Sequence, residues 1–133
     1  EFQPSELTPE PLTFLTVNAA VADTAEEAAE QMLPNLQLMA KLRTGQPLTA
    51  LDLIEDALAQ DLHPQQQALV DAGLARAVVG TPAESAAQIR TLAEEFGVDE
   101  VMINPVSSAR RGTDPRTSPG RDRTLELLAA ELL

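Results

Sequence analysis

Val78-Val79-Gly80-Thr81-Pro82-Ala83-Glu84, continued through Ile89, Leu92 and Phe96 to Gly97-Val98-Asp99-Glu100-Val101-Met102-Ile103, is the stretch whose reading decides the fold. Thr81 and Glu84 have the spacing of a capping box, and Pro82 stands at the first helical position, where a missing N–H costs nothing. A helix therefore starts at Pro82. Ile89, Leu92, Ala93 and Phe96 recur at three and four residues and gather on one stripe that needs a partner surface. Gly97 supplies a left-handed stop, and Val98, Val101, Met102 and Ile103 read as a short buried strand. A helix feeding such a strand is half of a βαβ unit.

Working outward, residues 1–11 hold Pro4, Pro9 and Pro11 and form an extended lead-in that no helix or central strand can cross. Residues 12–22 favour β structure at Thr13–Val17 and are small and apolar at Ala19–Ala22, as in a strand covered on both faces. Thr24 and Glu27 give a second capping box, starting a helix through Met32, Leu36 and Met39 to Gly45. Pro34 is expected to kink or break it near Leu33. Residues 45–77 read as a helical insertion, with one helix from about Thr49 and another from Pro64. Residues 105–120 form a loop rich in Gly, Pro and Ser, and Ser118-Pro119 starts a last helix on Leu125, Leu128 and Leu132.

The string from Val78 to Ile103 resembles the C-terminal segment of luciferase-like flavin-dependent monooxygenases, where a "VGTPE" helix start precedes the last strand of a TIM barrel. Thr13 to Ala28 resembles the strand and helix start that come before it, and Arg123-Thr124-Leu125-Glu126-Leu127-Leu128-Ala129 resembles the closing helix, with Thr and Leu in place of the usual Ser and Tyr. The resemblance implies an α/β chain forming part of a (β/α)8 barrel, about its last two βα units with a helical insertion, over residues 12–133. A closed barrel takes roughly 250 residues, and the chain has 133 and begins without Met, so the expectation is a C-terminal fragment. By the same resemblance the full protein uses reduced FMN, or a deazaflavin, and dioxygen to oxygenate a small organic substrate. Asn104, Ser107, Arg110 and Arg111, after the last strand, are the residues that the resemblance places beside the cofactor. The fragment alone is expected to be inactive.

Composition narrows the alternatives. The net charge is −12, from 21 acidic and 9 basic residues, which repels phosphate backbones. Three Phe with neither Trp nor Tyr offer no stacking platform, so nucleic acid is not an expected partner. No cysteine is present, which removes thiolate nucleophiles and disulfides and suits the cytoplasm. No run is long enough to span a bilayer. His63 is the only histidine and precedes Pro64 at a helix start, which makes a hydrolytic triad an unsuitable reading. The pairs Glu26-Glu27, Glu94-Glu95 and Asp99-Glu100 point apart on their elements and read as solvated, so no metal site is expected. Arg110, Arg111, Arg116, Arg121 and Arg123 cluster in one stretch. That cluster reads either as a solvated loop balancing acidic helices or as an anion-binding loop beside the last strand. The second function class is a non-catalytic acidic α/β interaction module. In either class, parallel strands with bare edges call for cover, and a homo-oligomer is expected.

Overall fold

In the computed structural model, which describes residues 2–133, the elements run β1 (Phe14–Val21), α1 (Ala25–Arg43), α2 (Ile54–Leu58), α3 (Pro64–Leu74), β2 (Val78–Gly80), α4 (Pro82–Phe96), β3 (Glu100–Pro105) and α5 (Pro119–Leu132). The local signals of the 78–103 stretch act as physical chemistry requires. The Glu84 carboxylate accepts from the Thr81 amide (3.0 Å) and hydroxyl (2.7 Å), which keeps its pKa below the usual carboxylate range. Gly97 ends α4 at φ 62°, a conformation that is strained for side chains with a Cβ.

The three strands form one parallel sheet in the order β2-β1-β3. Ala19, Ala20 and Val21 pair with Val78, Val79 and Gly80, and Phe14 through Ala19 pair with Glu100 through Pro105. This arrangement corrects the expected partial (β/α)8 barrel of two βα units. In a barrel every crossover advances in the same direction, so all helices lie on one side. Here the step from β1 to β2 goes one way along the sheet, and the step from β2 to β3 goes back over β1. Since both parallel crossovers are right-handed by rule, the reversal sends their helices to opposite faces. The packing agrees: Ala19 and Val21 cluster with Ile89 of α4 and Leu128 of α5, whereas Ala20 clusters with Met32 of α1 and Val106. The strand behind this difference is β2, whose Val78–Gly80 looks in the sequence like the approach to α4.

Two further expectations change. Helix α1 is unbroken from Ala25 to Arg43 with Pro34 inside it. Pro34 is itself buried among the largest enclosed side chains, so tertiary packing outweighs the lost ladder bond. The helix expected from about Thr49 begins at Ile54, where its amide donates to Ala109 O at 3.0 Å. Helices α2 and α3 both pack on α1 and form an outer layer over it.

The core sits at the C-terminal end of β1. Ala19, Ala20, Val21 and Ala22 are all at most 2% exposed, and their small side chains let a helical layer approach from each face. The N-terminal half of the same strand alternates between exposed and half-buried residues, and so does β3.

Candidate functional site

The C-terminal ends of β1 and β3 meet the start of α5 at a buried polar junction. Thr124, fully buried on α5, accepts from the Val21 amide (3.1 Å) and donates to the Val21 carbonyl (3.3 Å). A hydroxyl has one proton. With that proton on Val21 O, the 2.9 Å contact between Ser107 Oγ and Thr124 Oγ1 has Ser107 as donor. The next residue, Ser108, donates its amide to Gln31 O of α1 at 2.9 Å. The loop after β3 is thus fixed to α5 by one serine and to α1 by the next.

Four arginines of the cluster pair with carboxylates, and Arg121 Nε donates to Ser107 O at 3.4 Å. Arg110 reaches Glu30 at 2.6 Å, and Arg111 reaches Asp56 at 2.6 Å while its amide donates to Glu55 Oε2 at 2.9 Å. Arg116 pairs with Asp114 at 3.2 Å and Arg123 with Asp23 at 3.1 Å. The hydrogen bond to Glu30 holds the Arg110 pKa above its ordinary value, and hydrogen bonds from backbone amides hold the Glu55 carboxyl below its own. The contacts of Arg110 and Arg111 stitch the loop onto α1 and α2.

The four residues singled out from the sequence come to the same end of the sheet but not into one cleft. Asn104 lies on the exposed sheet face, where its Nδ2 donates to Asn18 Oδ1 at 2.8 Å. Ser107 is buried under α5, and Arg110 and Arg111 diverge toward α1 and α2. A cavity of about 330 Å³ lies beside them, lined by Gln31, Ser108, Arg110, Gly120 and Arg123 among others. Two of its buried polar atoms, Gln31 Oε1 and Ser108 Oγ, have no hydrogen-bond partner. Gln31, Gly120 and Thr124 carried no sequence signal of this role, because the elements that bring them together are far apart in the chain. His63 is exposed and caps α3, its Nδ1 accepting from the Gln65 amide at 3.3 Å. Among the described residues no group of three His, Cys, Asp or Glu side chains is placed to hold a metal ion.

A second concavity, of about 440 Å³, runs along β1 on the side where β2 stops short. Ala22 N donates to Gly80 O and Val106 N to Ala19 O. In a parallel ladder alternate residues face alternate edges, so the backbone groups of Thr16 and Asn18 lie on the β2 edge. β2 pairs with residues 19–21 only. Leu15 and Asn18 of β1, Met39 and Arg43 of α1, Arg76 and Phe96 line this groove.

No protein-family model matches the chain. It is 30% identical over 103 residues to the uncharacterized protein YvbT of Bacillus subtilis (strain 168), a match covering 77% of this chain and 30% of that protein. The crystal structure of apo-MsnO8 superposes on 99% of this chain and 38% of its own, with a TM-score of 0.73 and 25% sequence identity. The chain therefore spans about a third of the length of the proteins it matches. The structural likeness fits a small α/β unit with a three-stranded parallel sheet, not a fragment of a luciferase-like TIM barrel. The expected place in the luciferase-like family, which rested on the barrel, is corrected with it. Among the described residues no helix is long and apolar enough to cross a membrane.

Proposed function

We propose that the chain is an acidic α/β interaction module that associates with a second copy of itself through the uncovered half of its sheet. The observation that carries this reading is the exposure of large apolar side chains on the face of β1 and β3 that α1 leaves bare. Phe14 is 49% exposed and Met102 is 48% exposed. Thr16 is the register partner of Met102, which makes Phe14 and Met102 diagonal neighbours on one face. All three phenylalanines of the chain, Phe2, Phe14 and Phe96, are at the surface. Scattered exposed leucines are ordinary, but an aromatic and a methionine side by side on a strand pair mark a surface that gains by being covered.

Among the described residues no strand pairs with the outer edge of β3, and an open strand edge is a template for further pairing. A two-fold arrangement lets the same patch serve both copies. The charge of −12 opposes that approach, so self-association strengthens as salt screens it. The reading places the module in the cytoplasm, in keeping with a chain free of cysteine. Sedimentation velocity over a wide concentration range at moderate salt tests it. The expected outcome is a concentration-dependent shift from monomer to dimer, and a compact monomer at the highest concentration would rule the reading out.

A further inference from the structure

The cavity between α1, the loop after β3 and the start of α5 collects donors that the fold leaves unused. Helix α5 spans 14 residues, and its N-cap Ser118 makes no side-chain capping bond. Pro119 has no N–H to offer. The Arg121 and Asp122 amides both return to Ser118 O, which leaves the Gly120 amide as the first-turn donor without a partner. A helix start in that condition carries a partial positive charge and one free amide.

Two buried side chains at the same cavity point to a ligand independently of the helix. Ser108 is 6% exposed and Gln31 8% exposed, yet Ser108 Oγ and Gln31 Oε1 find no partner. Buried polar atoms are normally satisfied, so two orphans on one cavity wall ask for an occupant. The orientation of the Gln31 amide is set by its neighbour. The Glu27 carboxylate accepts from Gln31 Nε2 at 3.3 Å, and a carboxylate only accepts, so the oxygen is the end left over. Gly120 itself packs closely against this wall: a Cβ there would stand 3.1 Å from Ser107 Cβ and 3.5 Å from Gln31 Oε1.

The charged lining completes the pattern. Arg110 and Arg123 border the cavity; Arg110 is held by Glu30 through one nitrogen at 2.6 Å, and Arg123 by Asp23 at 3.1 Å with Glu126 at 3.9 Å from its other terminal nitrogen. A guanidinium has five N–H donors, so both retain donors for a bound oxyanion. Glu27 is the opposing charge on the lining, and its contact with Gln31 takes up one of its oxygens. The donors are thus Gly120 N–H, Ser108 O–H and two guanidinium edges, with Gln31 Oε1 as a lone acceptor.

We infer that this cavity binds a small hydroxylated phosphomonoester, its phosphate on Gly120, Ser108 and the two arginines and a hydroxyl on Gln31 Oε1. The site is separate from the bare sheet face and stands or falls independently of self-association. The test follows the Gly120 and Ser108 amides of the isotope-labelled full chain by NMR during titration with glycerol 3-phosphate, inorganic phosphate and glycerol. Saturable shifts with glycerol 3-phosphate, weaker ones with inorganic phosphate and none with glycerol are expected. Ser108→Ala should weaken binding about tenfold without altering the dispersion of the remaining spectrum. Gln31→Glu, which sets a carboxylate against the phosphate, should abolish it. Shifts that stay linear with concentration, or a Ser108→Ala variant that titrates like the parent, would overturn the site. Equal affinity for inorganic phosphate and glycerol 3-phosphate would overturn the assignment of the hydroxyl.

Discussion

The two halves of β1 differ in how they are covered: residues 14–18 alternate between exposed and half-buried, and residues 19–21 are buried. Residues Ala19 to Val21 all pair with β2, Ala19 pairs with β3 as well, helices cover both faces, and none is exposed. Residues 14–18 have β3 on one edge, a groove on the other, and exposed side chains at alternate positions. A strand covered on both faces must be apolar at every position, whereas one covered on a single face alternates. The sequence changes in this way at Ala19, from Phe-Leu-Thr-Val-Asn to Ala-Ala-Val. The folding core and the candidate interface are therefore successive parts of one strand, and each can be perturbed without the other.

The largest effect is expected in the covered half. Met32 is fully enclosed and packs with Ala20 and Val106 between the sheet and α1. Met32→Ala removes several buried methylene-sized groups and leaves a cavity, so it should cost about 2–5 kcal/mol in urea unfolding. A cost below about 1 kcal/mol would mean that α1 does not press on the sheet there, and the contrast between the halves would lose its basis.

The bare half should respond in the opposite manner. Replacing Phe14 by Glu together with Met102 by Lys puts charge on a face that already meets water, so unfolding stability should stay within about 0.5 kcal/mol of the parent. The dimer, by contrast, should weaken about a hundredfold, because each side chain withdraws buried apolar area from the contact. Sedimentation and unfolding measured on the same variant separate these two effects. A loss of stability without a change in association would turn the comparison around and make this face part of the core.

The contrast along β1 also marks what was legible in the sequence. Helix α4 could be read in full because its signals are local: the Thr81 and Glu84 cap, the stripe through Ile89, and Gly97 as the stop. β1 and β3 could be read from β-branched and apolar runs, with ends displaced by a residue or two. β2 could not, since Val78–Gly80 is too short to show a period and serves equally as the approach to a helix. That omission let two strands pass for successive barrel strands, and only the reversal of direction at β2 separates the two architectures. Pro34 reads in the sequence as a kink or a break, and α1 runs on without the break because the ring is enclosed, which a propensity argument cannot see. At the candidate site the arginines were visible as a cluster, but their carboxylates at Glu30, Asp56 and Asp23 come from other elements. The junction of Ser107, Thr124 and Val21 spans as many as 103 positions in the chain, and no spacing rule reaches that far.

The smallest effect belongs to the outer layer, where the covered half ends in water. Asp52, just before α2, accepts from Gln60 Nε2 at 2.7 Å and from Lys41 Nζ of α1 at 3.2 Å. The hydrogen bond from Gln60 is the main cause that holds its carboxyl below its ordinary value, with Lys41 adding to it. A carboxyl whose pKa is lower folded than unfolded binds its proton more readily in the unfolded chain. Its contribution is therefore complete above the unfolded value and is lost as the pH falls through the folded one. Both partners are partly solvated, and a pair of that kind contributes under about 1 kcal/mol. Comparing Asp52→Asn with the parent in thermal unfolding should give a small, constant deficit above the ordinary carboxylate range that closes as the pH falls through and below it. A deficit that persists at the lowest pH would show that Asp52 holds α2 to α1 by shape and not by charge, and the outer helices would then belong with the covered core.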